Sequence, residues 1–334
     1  MIISTSRGID RIDHLDVFLS EDGEAVVGWG MKASGVRARA IARKRGLPFL
    51  LLEDGFLRSV ARKAPPLSLI VDKLGVYYDA RSPSMLERSI AQPCSPEQTY
   101  RVHALIKAWC ASRVSKYNHA PEYRGNLPER FVLVVDQTFG DASVRCGLAD
   151  ASSFTSMLES ALTENPDCTV LVKVHPDIFS HRKAGYFDVE KISGRPRIKV
   201  LAENCHPVRL IEEAEAIYTV TSQMGFEGLL WGKKVRCFGM PFYAGWGLTE
   251  DELAPPSRRC QTTIEQLVHS ALIACPRYVD PEIGQRCEVE RILEYISLKR
   301  DGMKAEVAVE PTTLWHRIIR RVTSQKQYPY LINR

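Results

Sequence analysis

The chain has 334 residues, 45% hydrophobic and 25% charged, an ordinary globular composition with length for two domains. Its net charge of +5 suits an anionic ligand or membrane surface but is too weak to argue for nucleic acid, and there is no zinc-finger spacing or aromatic-and-basic platform. Nine scattered cysteines without a CxxC read as small reduced residues, and no apolar run approaches the roughly 20 residues that span a bilayer, so the chain reads as cytoplasmic.

Residues 1–16 carry acids and no long apolar stretch, unlike a secretory signal. Strand and helix then alternate. AVVGWG (25–30) predicts a strand running into glycines, and GVRARAIARKRG (35–46) a helix stopped by Gly46. LPFLLLEDG (47–55) predicts a strand ending in acids, and LSLIVD (67–72) with GVYYDA (75–80) a hairpin. SPSMLERSIAQ (82–92) opens on a serine, and Glu87 lies three positions after Ser84 as in a capping box. A long amphipathic helix over 95–118 follows, and the polar HAPEYRGNLPER (119–130), with two prolines, reads as a linker.

The second series begins with the strand FVLVVD (131–136) and the helix SSFTSMLESALTEN (152–165). Strands are expected at 169–176, 198–202, 216–222 and 234–240, with helices at 207–214, 224–232, 263–274 and 287–300. Alternating β and α predicts mostly parallel, helix-covered sheets, hence an α/β protein of two Rossmann-like domains facing a cleft. The expected division is 1–125, 126–285 and a C-terminal 286–334 of helices and basic tail. Ligands of such sheets sit outside the carboxyl ends of the strands, and VVDQT, VKVHP and TVTSQ each place polar residues there.

Three segments carry candidate chemistry. In KVHPD, Lys173 and His175 share one strand face and can hold a phosphate or carboxylate, while Pro176 ends the strand. In TSQMGFEGLLWG, Ser222 and Gln223 stand where a strand passes into a helix, whose free N–H groups suit phosphate, or Ser222 is simply the helix cap with Glu227 favoured by the helix dipole. There Gly225 would let a ligand approach the backbone, and Glu227 could accept from two ribose hydroxyls. In EDGFLRS, Asp54 and Arg58 are either a structural ion pair or the acceptor side of the cleft. PFYAGWG (241–247) is a sugar-facing loop or a packed rim.

Together these segments resemble the capsule polysaccharide β-Kdo transferases of the KpsC type. The resemblance runs through EDGFLRSV, PPLSLIVDKLGVYYDA, SPSMLE, VVDQTFGDASV, GLADASSF, LVKVHPD, VTSQMGFEGLL, CFGMPFYAGWGL and PRYVDPE, and is nearer to the N-terminal of that family's two modules. The sequence has length for one module, and ARKAPP (61–66) replaces a glycine-containing loop. The resemblance implies a GT-B-like glycosyltransferase that moves Kdo from CMP-β-Kdo to a lipid-linked Kdo acceptor with retention of configuration.

Retention by double displacement needs a carboxylate nucleophile. Asp136 and Asp141 are the candidates; Asp136 is still on the strand, and Asp141, in the loop after Gly140, is preferred. Lys173 and His175 suit the CMP phosphate or the Kdo carboxylate, and Ser222, Gln223 and Gly225 the phosphate. Glu227 suits the ribose, and Gln137 contacts donor or nucleophile. No cofactor and no metal are expected. Expected partners are CMP-Kdo, the lipid-linked acceptor and capsule-assembly proteins, with no nucleic acid. Trp315, Ile318, Ile319 and Val322 interleave with Arg317, Arg320 and Arg321, a basic amphipathic tail suited to the inner membrane surface or to packing on the domain. A nucleotide-sugar epimerase of similar fold and a catalytically silent binding module are the alternatives.

Overall fold

The computed structural model describes residues 2–61, 64–174 and 184–308, with side chains through Arg300. The first half contains β1 (Ile2–Ser4), α1 (Arg7–Asp10), α2 (Leu15–Phe18), β2 (Ala25–Trp29), α3 (Ala33–Arg45), β3 (Phe49–Asp54), β4 (Ser68–Asp72), α4 (Met85–Ile90) and α5 (Pro96–Ser112). The second half contains β5 (Phe131–Val135), α6 (Ala142–Cys146), α7 (Ala151–Glu164), β6 (Thr169–Lys173), α8 (Val189–Ser193) and β7 (Ile198–Leu201). It continues with α9 (Val208–Glu213), β8 (Ala216–Thr219), α10 (Gln223–Leu230), β9 (Lys234–Cys237) and β10 (Glu250–Asp251). α11 (Ile264–Val268) runs into a π-helical stretch, His269–Ala274, before β11 (Pro276–Asp280), β12 (Gln285–Cys287) and α12 (Val289–Ala308).

Local chemistry explains the boundaries. Gly46 stops α3 in the left-handed conformation at φ 67°. α5 opens with a full capping box between Ser95 and Gln98 and with proline in its first turn. α4 has half of one: the Ser84 hydroxyl accepts from the Glu87 N–H, but the Glu87 carboxylate is drawn off to Arg258 and Arg259 at 2.6 and 2.7 Å.

The second sheet is wholly parallel, in the order β10-β9-β8-β5-β6-β7. The chain builds outward from β5 through β6 to β7, then returns to β8 on the other side. The reversal leaves a crevice beyond the ends of β5 and β8, where such sheets bind ligands. Alternation along β5 buries Val132 and Val134 against α7 residues such as Phe154 and Met157, and Phe131, Leu133 and Val135 in a core shared with Trp109 and Leu86 of the first half.

The first sheet departs from the expected parallel pattern. Its order is β1-β2-β3-β4-β11-β12, with β1, β2 and β3 parallel and the later pairs antiparallel. The boundary expected at 285 is therefore displaced. β11 lies beside β4 with Tyr278 opposite Ser68, covers an edge that would otherwise stand open, and buries Val279 with Phe18 and Leu69. Residues 75–80 are not the second arm of a hairpin. The Asp72 carboxylate turns the chain there by accepting from the N–H groups of Leu74, Gly75 and Met85. All nine cysteines are free. Among the described residues, no helix is long and apolar enough to cross a membrane. The tail from 309 lies outside the described residues.

Candidate active site

A cleft of about 1010 Å³ opens between the two sheets. The second domain contributes the ends of β5, β6 and β8 and the start of α10; the first contributes the ends of β2 and β3 and the loop holding Tyr77 and Tyr78. Ser115, Lys116, Tyr117, His119 and Ala120 line it where the chain crosses between domains; the helix expected to run to 118 ends at Ser112, and the linker expected from 119 begins inside this lining.

Asp141 is exposed on the cleft. Gly140, at φ +78°, turns the chain so that Asp141 caps α6, accepting from the Ser143 N–H at 3.0 Å. Asp136 also reaches the cleft but is held differently. One oxygen accepts from the N–H groups of Gln137 (2.8 Å) and Tyr186 (3.0 Å). The other is buried without a partner among the described residues. Burial pushes this carboxyl up to about 6. Asp136 thus ties the 185–187 segment to the end of β5.

Gln137 bridges the crevice. Its carbonyl oxygen accepts from the Thr221 N–H at 2.9 Å, and its amide donates to the Thr221 hydroxyl at 3.0 Å and to Ser143 Oγ at 3.4 Å. It locks the Asp141 loop to the end of β8. Lys173 is buried, and Nζ donates to the carbonyls of Val174 and Glu203, both at 2.9 Å. An ammonium has three protons, so one is unengaged among the described residues, and the side chain lines the cleft. Burial lowers its pKa. His175 and Pro176 lie outside the described residues.

At the start of α10, Ser222 accepts from the Met224 N–H. Gln223 donates to the Phe56 carbonyl of the first domain at 2.9 Å. Glu227 is 1% exposed. Its Oε1 accepts from Ser115 Oγ (3.0 Å), Lys116 N–H (3.1 Å) and the Gln223 amide (3.3 Å). Its Oε2 is buried and has no partner among the described residues. Burial pushes the group up to about 7.

Two expected site residues are elsewhere. Gly225 does not line the cleft; a Cβ there would stand 2.3 Å from Tyr243 Oη and 2.9 Å from Thr219 Cγ2. The glycine exists for helix packing rather than ligand approach. Arg58 pairs with Asp54 at 3.4 Å and donates to the Ala64 carbonyl, so it anchors a loop, while Asp54 reaches the cleft. The 241–247 loop is chiefly packing. Tyr243 and Trp246 are fully buried, and Phe242 joins Phe56 of the first domain with ring centroids 4.5 Å apart.

The first domain adds a group the sequence reading missed. Glu53 lines the cleft and accepts from Tyr78 Oη at 2.7 Å. Burial drives its pKa up to about 7, against the hydrogen bond from Tyr78. The signal was the strand end: Glu53 and Asp54 close β3 together, and both line the cleft there. Among the described residues, no group of three or more His, Cys, Asp or Glu could hold a metal ion.

Residues 24–124 and 100–278 match the family described as capsule polysaccharide biosynthesis protein. The chain belongs to this family. It is 38% identical over 342 residues to the capsule polysaccharide modification protein LipA of Neisseria meningitidis serogroup B, covering 94% of this chain and 48% of LipA. It is 35% identical to the lipopolysaccharide-processing protein LpsZ of Rhizobium meliloti, covering 85% of this chain and 66% of LpsZ. The chain thus spans about half the length of LipA. Among solved structures, it resembles the β-Kdo 2,4 transferase of Thermosulfurimonas dismutans KpsC, with TM-score 0.82, 42% identity, and coverage of 89% of this chain and 97% of that one. The β-Kdo 2,7 transferase of the same KpsC matches with TM-score 0.65 and 27% identity, over 84% of this chain and 88% of that one.

Proposed function

We propose that this chain is a retaining β-Kdo glycosyltransferase of capsule or surface polysaccharide synthesis, using CMP-β-Kdo and forming a 2,4 linkage. The observation that carries this reading is the likeness to the 2,4 transferase, which exceeds that to the 2,7 transferase in both identity and TM-score. The cleft supports it. Asp141 is the exposed carboxylate at the strand-end crevice, suited to attack the anomeric carbon as CMP leaves, giving a glycosyl ester that the acceptor hydroxyl then displaces from the opposite face. Lys173 and the start of α10 face that crevice and suit the phosphate. The open Oε2 of Glu227 suits a ribose hydroxyl, while Oε1 is already engaged. Gln137 positions the nucleophile's loop. The acceptor is a lipid-linked Kdo oligosaccharide approaching from the first domain, and the basic tail favours peripheral attachment to an anionic membrane. Purified protein, CMP-Kdo and a synthetic Kdo-terminated acceptor test this. The expected product carries a β-Kdo 2,4 linkage by NMR. Product of another linkage overturns the linkage, and stabilisation by UDP but not CMP overturns the donor.

A further inference from the structure

α3 carries a charge pattern that the transfer reading does not use. Its sequence, ASGVRARAIARKR, holds five cations and no acid. The inner face, with Ser34, Gly35, Ala38 and Ala42, is buried. Gly35 lies so near the turn after β2 that a Cβ would fall 1.9 Å from the Gly30 carbonyl oxygen, so packing fixes which face looks outward. On that outer face Val36, Arg37, Ala40, Arg43 and Lys44 are exposed, at the three- and four-residue spacing that makes one side of a helix.

The cations of this face lack carboxylate partners. Among the described residues, none in α3 is in an ion pair; Arg39 packs on the Phe49 ring at 4.8 Å, and Arg37 donates to the Thr5 carbonyl at 3.0 Å. Arginines elsewhere answer acids, as Arg101 does Glu288 and Glu290, and Arg291 does Asp280 and Glu282. The helix dipole accounts for Arg43, Lys44 and Arg45 in the last turn. It does not account for Arg37, and a first turn without an acid goes against it. Arg39 and Arg43, four positions apart, repel one another. A face kept cationic against these costs suits an external anion.

Amid the cations, Val36 is 62% exposed. That side chain gains nothing from a nucleic acid. A bilayer takes it at the headgroup boundary and takes the cations at the lipid phosphates. Met31 and Lys32, directly before α3, line the cleft, and a helix of this length spans about 20 Å. A surface laid along α3 therefore passes beside the cleft. We propose that the outer face of α3 docks the first domain on an anionic bilayer, beside the cleft that the lipid-linked acceptor enters. The purpose of this contact rests on the transfer reading above, but the contact itself does not. It is electrostatic, reversible and separate from the tail beyond residue 308.

The test is cosedimentation of the full chain with vesicles of equal parts phosphatidylglycerol and phosphatidylcholine. R37Q/R43Q/K44Q should lower partitioning about a hundredfold, since each basic residue near such a surface is worth roughly fivefold, and raised salt should level the difference. V36W should tighten binding, because an indole suits the headgroup level. R88Q/K107Q/K234Q removes the same charge from exposed positions on α4, α5 and β9, and should bind close to the wild type. Equal losses in the two triple variants overturn the proposal. So does unchanged binding of R37Q/R43Q/K44Q, or a wild type that binds a random DNA duplex but not the vesicles. With acceptor embedded in the vesicles, R37Q/R43Q/K44Q should lose turnover, and with soluble acceptor it should keep it. If the wild type transfers no Kdo, the transfer reading falls, while the sedimentation result still decides the role of α3.

Discussion

Asp141 has two jobs that can be separated by substitution: it offers a carboxylate to the cleft and caps α6. Asp141→Ala removes both, and Asp141→Asn keeps an oxygen for the cap. Both should lose transfer by more than a thousandfold, an order typical of a missing nucleophile. Only Asp141→Ala should lose stability, by about 1 kcal/mol. Denaturant curves beside product assays check this, and transfer surviving in the asparagine variant would reassign the nucleophile. Glu227 makes a different prediction. Its folded value of about 7 lies above the ordinary 4.5, so the folded chain keeps a proton that the unfolded chain has released. Stability therefore falls as pH rises from about 4.5 to about 7 and is level above that. Glu227→Gln should flatten this slope by up to ~3 kcal/mol, seen as melting temperatures that depend less on pH. An unchanged slope would mean that the carboxyl is better solvated than its burial indicates. A ribose hydroxyl donating to Oε2 would favour the ionised form, so CMP binding between these pH values should release protons.

At the scale of elements, α10 is tested by its glycine. Gly225→Ala places a methyl against Tyr243 and Thr219, and overpacking of this kind costs about 1–3 kcal/mol. CMP affinity should hold if the variant is measured while folded, and adding Tyr243→Phe should recover part of the loss. A selective loss of CMP affinity would restore the ligand-approach role. The same element shows what the sequence could convey. A serine between a strand and an amphipathic run gave the cap at Ser222 and the placing of Glu227, because both depend on near neighbours. Gly225 was misread because its reason, Tyr243, is on another segment. β5, α5 and α7 were legible from periodicity and caps. Residues 75–80 alternate like a strand, yet Tyr77 and Tyr78 point to Phe56 and Glu53, contacts that no local pattern announces. β11 was missed because its partner, β4, lies far back in the chain, and Glu53 because acids at a strand end usually face water.

Across the whole molecule, the two domains are fastened by more than the linker. Glu87 of α4 holds Arg258 and Arg259, and Arg259 donates to the carbonyls of Pro241 and Ala244 at 2.7 and 2.8 Å. Gln223 and the ring contact of Phe56 with Phe242 add further ties. This seam borders the cleft, which Phe56, Gln223 and Phe242 line and which the proposed acceptor would enter. If that acceptor is held in a membrane, the basic tail is a tether in addition to α3. Deleting residues 314–334 should reduce sedimentation with anionic liposomes, and salt should mimic the deletion, since each basic residue near such a surface contributes about 1 kcal/mol. Turnover on a lipid-free acceptor should hold. Liposome binding that survives the deletion would assign the membrane contact, if any, to the folded domains.

The return of β11 to the first sheet also bears on how the chain is made. β4 ends at Asp72 and its neighbour begins at Pro276, roughly two hundred residues later. At ribosomal rates of about 5–20 residues per second, β4 waits on the order of ten to forty seconds for that neighbour. Meanwhile the second sheet, contiguous from β5 to β10, emerges complete. The domain that starts the chain is thus the last to close, and in the interval the nascent protein shows an uncovered strand edge to the cytosol and its chaperones.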